Sequence, residues 1–235
     1  MSMSNGFLSQ EEIDSLLNGS DDSSSNTGSN DNSVNLLSDI EKDLLGEIGN
    51  ISMGSASTAL YQIINQKVNI TTPVVSITTL KEIKETFETP TVVLDVEYTS
   101  GIIGRNILII KTEDAAVIAN LMMGGDGIVE NHELSEIEIS AVQEAMNQMI
   151  GSAATSMATM FSREVNISPP ISKIWSNSED ALSSEIPEDQ AIVRVNFRMT
   201  IGNLVDSNIM QILPVETAKK IVSIMIGKED EDSNV

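Results

Sequence analysis

An internal duplication constrains this chain more than any other feature of its amino-acid sequence. Three pairs of segments recur at a spacing of 97 residues: LSDIE at 37–41 with LSEIE at 134–138, GSASTA at 54–59 with GSAATS at 151–156, and VNITTP at 68–73 with VNISPP at 165–170. Further along the chain the spacing grows by about five residues, which indicates an insertion in a surface loop. The chain therefore carries two copies of one structural unit.

Each copy has the pattern of a long helix, three strands and a closing helix. Ser38 and Ser135 each begin a capping box with the glutamate three residues later, so the long helices start there and are expected to end near Ile64 and Phe161. Strands are predicted at 68–77, 91–98, 102–112, 165–175, 191–200 and 209–213, and closing helices at 113–123 and 215–226. This order predicts an α/β (α+β) fold in which two half-domains share a pseudo-two-fold axis and pool their strands in a mixed sheet, flanked by the two long helices.

The composition divides the chain into a globular region and its appendages. Residues 36–227 have a globular composition and contain the two repeats, 36–125 and 133–227. We expect these repeats to form one α/β unit rather than two independent domains. Residues 20–35 are mostly Ser, Asn, Asp, Gly and Thr, which predicts a disordered linker, and residues 228–235 form an acidic tail.

Residues 1–19 are predicted to contain a short amphipathic helix of their own, within LSQEEIDSLLNG. A capping box, a hydrophobic staple and one apolar edge support it, through Leu8, Ser9, Glu12, Ile13, Leu16 and Leu17. A helix of about ten residues is marginal when isolated in water. Its apolar edge must therefore be covered by the domain itself or by a partner.

The charge and composition of the chain exclude several classes of protein. There are 13 basic and 35 acidic residues, and the resulting net charge of -22 repels nucleic acid and anionic membrane surfaces. The chain has no cysteine, and no apolar run approaches the roughly 18 residues that a membrane span needs. The first residues lack the pattern of a signal peptide. We therefore expect a cytoplasmic protein with no nucleic-acid partner and no direct membrane insertion.

Each long helix places three polar side chains on one face, within a sector of about 60°: Asp43, Glu47 and Asn50 in the first, and Ser140, Glu144 and Asn147 in the second. The side chains expected to be buried lie opposite, namely Leu44, Leu45, Ile48, Ile51, Ala56 and Ala59, and Ala141, Val142, Ala145 and Met149. A polar face of this kind is ordinary on a solvated helix. However, Gly46, Gly49 and Gly54 weaken the first helix, which indicates close approach of another backbone, either a packed neighbour or a docking partner.

The spacing of these polar residues resembles the signature of the CheC, CheX and FliY family of chemotaxis phosphatases. The pattern of Asp or Ser, three residues, Glu, two residues, Asn, 22 residues and Pro fits twice without a gap, ending at Pro73 and at Pro170. The resemblance covers residues 36–227. The peptide LSQEEIDSLL is also similar to the CheY-binding peptide at the start of the flagellar switch proteins FliM and FliY. Its combination with a CheC-like domain is typical of FliY proteins.

The sequence departs from the FliY pattern at its C-terminal end. FliY proteins continue into a FliN-like domain, whereas this sequence stops at Val235. We expect either a FliY without that last domain or a CheC-like protein with a FliM-type peptide. In FliY proteins the FliN-like domain is the part that anchors the protein in the flagellar switch. Both alternatives predict a cytoplasmic protein, and the cytoplasmic face of the flagellar basal body is one location that the resemblance implies.

The resemblance implies an enzyme that hydrolyses the aspartyl phosphate of a CheY-type response regulator. Asn50 and Asn147 would each hold an attacking water in line with the phosphorus. Glu47 and Glu144 would each reach a lysine beside the phosphoaspartate. Asp43, Ser140 and the six peptide side chains named above are also expected to bind the regulator. No cofactor of the chain's own is implied and no ligand cluster has metal spacing, so Mg²⁺ is expected on the regulator.

Three alternatives remain open from the sequence. The glutamates could act as general bases, although an exposed glutamate with a pKa of about 4.3 is a weak base at neutral pH. The chain could instead be a non-catalytic adaptor that binds the regulator, flagellar switch proteins or CheD. A carboxylate-dependent hydrolase would need Glu47 and Glu144 about 5–10 Å apart in one cleft. Two outward faces related by a two-fold axis do not ordinarily converge in that way.

Overall fold

The structure, a computed structural model, describes residues 36–87, 90–131, 133–177 and 179–228. The predicted N-terminal helix, the linker and most of the acidic tail lie outside these residues. The described residues form, in order, α1 (Asp39–Ile64), β1 (Val68–Ile70), β2 (Val74–Thr79), α2 (Leu80–Glu85), β3 (Thr91–Ser100), β4 (Gly104–Lys111), α3 (Thr112–Met122), α4 (Glu136–Phe161), β5 (Asn166–Ile167), β6 (Ile171–Trp175), β7 (Ala191–Ile201), β8 (Val205–Pro214) and α5 (Val215–Met225).

The long helices α1 and α4 begin and end where the sequence predicts. At the start of α1, the Ser38 hydroxyl accepts a hydrogen bond from the Glu41 backbone N–H, and the Glu41 carboxylate accepts one from the Ser38 backbone N–H. The equivalent pair of bonds forms at the start of α4. After each helix, Asn65 or Ser162 adopts a left-handed conformation with φ of 51° and 52°, which ends the helix.

The eight strands of the described residues form one sheet with the order β1–β7–β8–β4–β3–β5, in which β2 also pairs with β7 and β6 with β3. The duplicated α/β fold is confirmed, but the expected mixed sheet is not found: every pairing among these strands is antiparallel. The reason is partly local and partly the pairing of strands between the two repeats. β3 and β4 form one hairpin, β7 and β8 form another, and the short strands run back along the hairpin of the other repeat.

The two repeats exchange their short strands. β1 and β2 of the first repeat pair with β7 of the second, whereas β5 and β6 of the second repeat pair with β3 of the first. The equivalent strands β4 and β8 pair with each other and join the two hairpins. Neither repeat therefore has a complete sheet without the other.

Three local details differ from the expectations. The strands predicted at 68–77 and 165–175 are each split, into β1 and β2 and into β5 and β6, at the segments that end in Pro73 and Pro170, since proline interrupts a ladder of hydrogen bonds. The short helix α2 has no counterpart in the prediction. Ile51, expected to be buried, is 43% exposed. It lies four residues after Glu47 and therefore shares the outward face of α1.

Side chains are buried on both faces of the sheet. The larger core lies between one face and the helices, with α1 and α4 packed against each other. The smaller core lies on the other face around Trp175 and is closed by α2 and by Leu182 and Ile186. The segment that carries these two residues is held by an ion pair of 2.6 Å between Lys84 and Glu188. No helix of the described residues is long and apolar enough to cross a bilayer.

Candidate functional site

The polar triplets of both long helices lie on outward faces, as predicted. In α1, the side chains of Asp43 and Glu47 are exposed and that of Asn50 is partly buried. The second helix repeats this gradation, with exposed Ser140 and Glu144 and a partly buried Asn147. The asparagine is thus the deepest member of each triplet.

A shallow groove runs beside Asp43 and Glu47 of the first triplet, and Asn50 is not part of its lining. It lies between α1 and the segment that enters β2, and its lining includes Asp39, Lys42, Asp43, Glu47, Thr72, Pro73 and Val75. All of these residues belong to the first repeat. The proline of the sequence pattern therefore forms one wall of the groove, opposite the aspartate and the glutamate.

The wall of the groove lies close to α1 because two glycines of this helix carry no side chain. A Cβ atom at Gly49 would lie 3.1 Å from the Phe197 ring and 3.7 Å from Cγ of Pro73, and one at Gly46 would lie 3.7 Å from Cγ2 of Val75. The sequence left open whether these glycines serve a packed neighbour or a docking partner. At Gly46 and Gly49 the structure shows a packed neighbour.

Phe197 is a supporting residue that the sequence did not reveal. It lies on β7 of the second repeat, and its side chain is fully buried below α1. No local pattern connects it with Gly49, because the two are far apart in sequence and meet only through the strand exchange. Its position could have been inferred only from the pairing of β2 with β7.

The hydrogen bonds of the two triplets are sparse. The Glu144 carboxylate accepts a bond of 2.8 Å from the Gln148 amide, and the Ser140 hydroxyl donates one of 2.8 Å to the Glu136 carbonyl. Within the described part of the chain, the side chains of Asn50 and Asn147 are not engaged in hydrogen bonds. Each amide can therefore offer both its donor and its acceptor to water or to a bound molecule.

The two triplets form separate sites. α1 and α4 meet where the Ser152 hydroxyl donates a hydrogen bond of 3.1 Å to the Ser55 carbonyl, two residues at equivalent positions of the repeats. Each asparagine precedes this contact by five residues, or about 7.5 Å along its own helix. Because the groove beside Glu47 contains residues of the first repeat alone, the structure does not support a single cleft with two carboxylates.

Metal binding finds no support in the described residues, since no cluster of three or more His, Cys, Asp or Glu side chains there could hold an ion. The predicted location of Mg²⁺ on a regulator stays a prediction. The six predicted peptide residues lie outside the described part of the chain, so their role also stays a prediction: Leu8, Ser9, Glu12, Ile13, Leu16 and Leu17.

The fold is that of CheC-like proteins. The model of the CheC-like family matches residues 40–77 and 137–174, which are the segments from each long helix to the short strands that follow it. The middle domain of FliM from H. pylori has the same fold, with a TM-score of 0.64 and 17% identity, over 80% of this chain and 100% of that one.

Two relatives are much more similar in sequence. The crystal structure of Thermotoga maritima FliY has a TM-score of 0.76 and 42% identity, over 82% of this chain and 99% of that chain. The flagellar motor switch phosphatase FliY of Bacillus subtilis (strain 168) is 46% identical over 98% of this chain, which spans 60% of the length of that relative. The chain therefore belongs to the FliY proteins of the CheC-like family.

Proposed function

We propose that this protein hydrolyses the aspartyl phosphate of a CheY-type response regulator. The observation that carries the proposal is the recurrence of one outward Glu–Asn pair at the same turn of α1 and of α4. The B. subtilis relative is named a flagellar motor switch phosphatase, which supports the same class of activity for this chain.

The asparagine of each site is proposed to orient the attacking water. Phosphoryl transfer to water requires positioning and charge neutralisation more than covalent help from the protein. Asn50 and Asn147 suit this role because each amide has a donor and an acceptor that no residue of the described chain occupies. Being uncharged, the amide also does not repel the phosphoryl oxygens, as a carboxylate would.

The glutamate of each site is proposed to dock the regulator. Glu47 and Glu144 lie one turn before the asparagines and are more exposed, so they can reach a lysine beside the phosphoaspartate. Mg²⁺ would be bound by the regulator and would neutralise the phosphoryl group from that side. Asp43 adds a carboxylate to the first site where Ser140 places a hydroxyl in the second, which makes the first site the more acidic of the two.

The location and the other partners follow from the same proposal. The name of the B. subtilis relative supports a place at the cytoplasmic face of the flagellar motor, where switch proteins would be neighbours. The N-terminal peptide is proposed to capture the regulator and to raise its concentration near the two sites. CheD remains a proposed partner on the basis of the sequence resemblance.

The test is the decay of the acyl phosphate on a purified CheY-type regulator, measured with and without this protein. Faster release of inorganic phosphate in its presence supports the proposal. A Gln62→Ala variant is the matched control, because Gln62 is an exposed amide on the same helix, three turns beyond Asn50. It should keep the full rate.

An adaptor without catalysis is the second candidate. The outward position of both triplets would serve docking as well as hydrolysis. Binding of the phosphorylated regulator without any change in its decay rate would support the adaptor and refute the phosphatase.

A further inference from the structure

Gly54 of α1 and its equivalent in α4, Gly151, have no evident purpose within the described chain. Both lie in the middle of long helices, where glycine is less favourable than alanine. A Cβ atom at either position would meet nothing within 4 Å. Unlike Gly49, they are not required by a neighbouring side chain, and yet both repeats have a glycine here.

Local geometry does not require glycine at these positions either. The Gly54 carbonyl accepts a hydrogen bond of 3.2 Å from the Thr58 hydroxyl, and the Gly151 carbonyl accepts one of 2.9 Å from the Thr155 hydroxyl. Both bonds use the backbone of the glycine and would survive an added methyl group. Glycine lowers the stability of each helix and leaves open space on its outer side. This combination indicates that a partner molecule approaches the helix there.

These glycines continue the face that carries the polar triplets. At 100° per residue, Asp43, Glu47 and Gly54 fall within a sector that also includes Asn50, and Gly54 lies one turn beyond that asparagine. Gly151 has the same relation to Asn147. The open space is therefore next to the asparagine amide that would hold the attacking water.

An exposed isoleucine marks the other end of each face. Ile40 in α1 and Ile137 in α4 occupy equivalent positions in the first turn and are 73% and 72% exposed. Ile40 lies three residues before Asp43 and on the same side of the helix. The exposed isoleucine recurs beside both sites, although the exposed positions 43 and 140 differ between the repeats, with Asp43 in one and Ser140 in the other.

We propose that the response regulator docks along the whole outward face of each long helix, from Ile40 to Gly54 on α1 and from Ile137 to Gly151 on α4. The isoleucine packs against an apolar part of the regulator, and the glycine admits its backbone to van der Waals contact beside the asparagine. This inference rests on the proposed function, and it adds four positioning residues to the Glu–Asn pairs.

Two features of the structure favour the regulator as the occupant. The two faces are equivalent, so the same kind of molecule is expected to bind beside each Glu–Asn pair. The chain has a single N-terminal peptide, which is not enough to occupy both faces. The footprint from Ile40 to Gly54 is about 21 Å long. That length suits a standard interface of about 800 Å² on each partner.

The glycines are tested with the double variant Gly54→Ala/Gly151→Ala. Its thermal midpoint should rise by about 3 °C for each substitution, because alanine favours the helix. Its kcat/KM for the phosphorylated regulator should fall about tenfold, because a methyl group now occupies the contact at each of the two sites. The controls are Gln62→Ala and Thr159→Ala, exposed residues at equivalent positions of the two helices, which should keep the activity.

The isoleucines are tested with Ile40→Ser/Ile137→Ser. Since both side chains are exposed, the thermal midpoint should stay nearly unchanged while kcat/KM falls about tenfold. Ile103, which is 65% exposed in the turn between β3 and β4, provides the control Ile103→Ser. A changed oligomeric state in the double variant would assign these residues to an interface between copies of this chain and would overturn the proposal.

Binding separates this inference from the proposed function. The affinity of the full chain for a regulator carrying beryllofluoride in place of the phosphoryl group is measured in a Leu16→Ala/Leu17→Ala background, which removes the contribution of the peptide. Weaker binding of the glycine and isoleucine variants supports the footprint even if no wild-type turnover is found. Unchanged affinity and unchanged kcat/KM in these variants would overturn it, as would a lower thermal midpoint of the glycine variant.

Discussion

Glu47 and Glu144 lie at the outer edge of their sites, one turn before the asparagines, and this difference in position separates their expected roles. Replacing both glutamates by alanine removes a charge-assisted contact to the regulator, of the kind that contributes about 1.5–3 kcal/mol. We therefore expect KM to rise about tenfold or more while kcat at saturation changes much less. A steady-state titration with phosphorylated regulator measures both constants.

The result for Glu47→Ala/Glu144→Ala also tests the general-base alternative. A base that removes a proton from the attacking water would lower kcat and leave KM nearly unchanged. Glu113→Ala is a suitable control, since Glu113 is an exposed glutamate at the start of α3 and belongs to neither triplet.

Gly49 and Gly54 lie five residues apart on one helix and predict opposite effects of the same substitution. In Gly49→Ala the new methyl group would lie 3.1 Å from the buried Phe197 ring, so we expect a loss of about 1–2 kcal/mol in the free energy of unfolding. In Gly54→Ala the methyl group meets nothing, and a gain of up to about 1 kcal/mol follows from helix propensity alone. Urea denaturation of both variants provides the comparison, and equal gains would show that the Phe197 contact does not constrain α1.

At the scale of residues, the polar triplets could be predicted because helical spacing places them on one face. Ile51 was assigned to the wrong face, because its apolar character outweighed its position one turn after Glu47. The contact between Gly49 and Phe197 could not be predicted, since it depends on which strands pair across the two repeats. The reason for a glycine at each position could likewise not be inferred without knowing which side chains lie next to it.

The capping boxes of α1 and α4 predict how helix stability responds to acid. Hydrogen bonds from the Ser38 backbone and hydroxyl lower the pKa of Glu41, and the Ser135 hydroxyl and backbone lower that of Glu138. A carboxylate whose pKa is lower in the folded state stabilises the fold above its unfolded pKa of about 4.5. This contribution is lost as the pH falls through the folded value.

The variant Glu41→Gln/Glu138→Gln keeps a side chain that can accept the same bonds but cannot titrate. At pH 7 it should melt about 1–2 °C below the wild type, and this difference should shrink as the pH falls below the unfolded pKa of about 4.5. Thermal melts across this pH range measure the difference. A gap that stays constant with pH would show that the ionised carboxylates do not stabilise the helices.

At the scale of elements, the starts of both long helices could be predicted, because the hydrogen bonds of a capping box join residues only three positions apart. The strands were located less well. The break before β2 comes from Pro73, which the alternation of apolar residues concealed, and the six residues of α2 are too few to show a helical period. The insertion in the second repeat was predicted as a loop, but its role as a cover for Trp175 depends on tertiary contacts of Leu182 and Ile186.

The exchange of short strands predicts that the two repeats unfold together. Leu60 in α1 and Met157 in α4 are equivalent buried residues, with 0% and 4% exposure. Replacing either one by alanine should lower the free energy of unfolding by about 2–4 kcal/mol in one shared transition. Fluorescence of Trp175, the single tryptophan, and far-ultraviolet circular dichroism should give coincident curves.

Two separable transitions would contradict this view of the molecule. They would mean that each repeat completes a core of its own despite the pairing of β2 with β7 and of β6 with β3. At this scale the duplication and the fold class could be predicted from the repeated segments. The antiparallel direction of the pairings between the repeats could not, because it depends on which strands cross from one repeat to the other.

The measurement that tests the central claim most directly is the rate of acyl-phosphate loss from a saturating CheY-type regulator with wild type, Asn50→Ala, Asn147→Ala and the double variant. Loss of the oriented water should lower the rate at each site by at least about a hundredfold without weakening binding. Each single variant should then retain the rate of its intact site, and the double variant should give only the regulator's own decay. A double variant that still accelerates the decay would contradict the assignment of Asn50 and Asn147 as the catalytic residues.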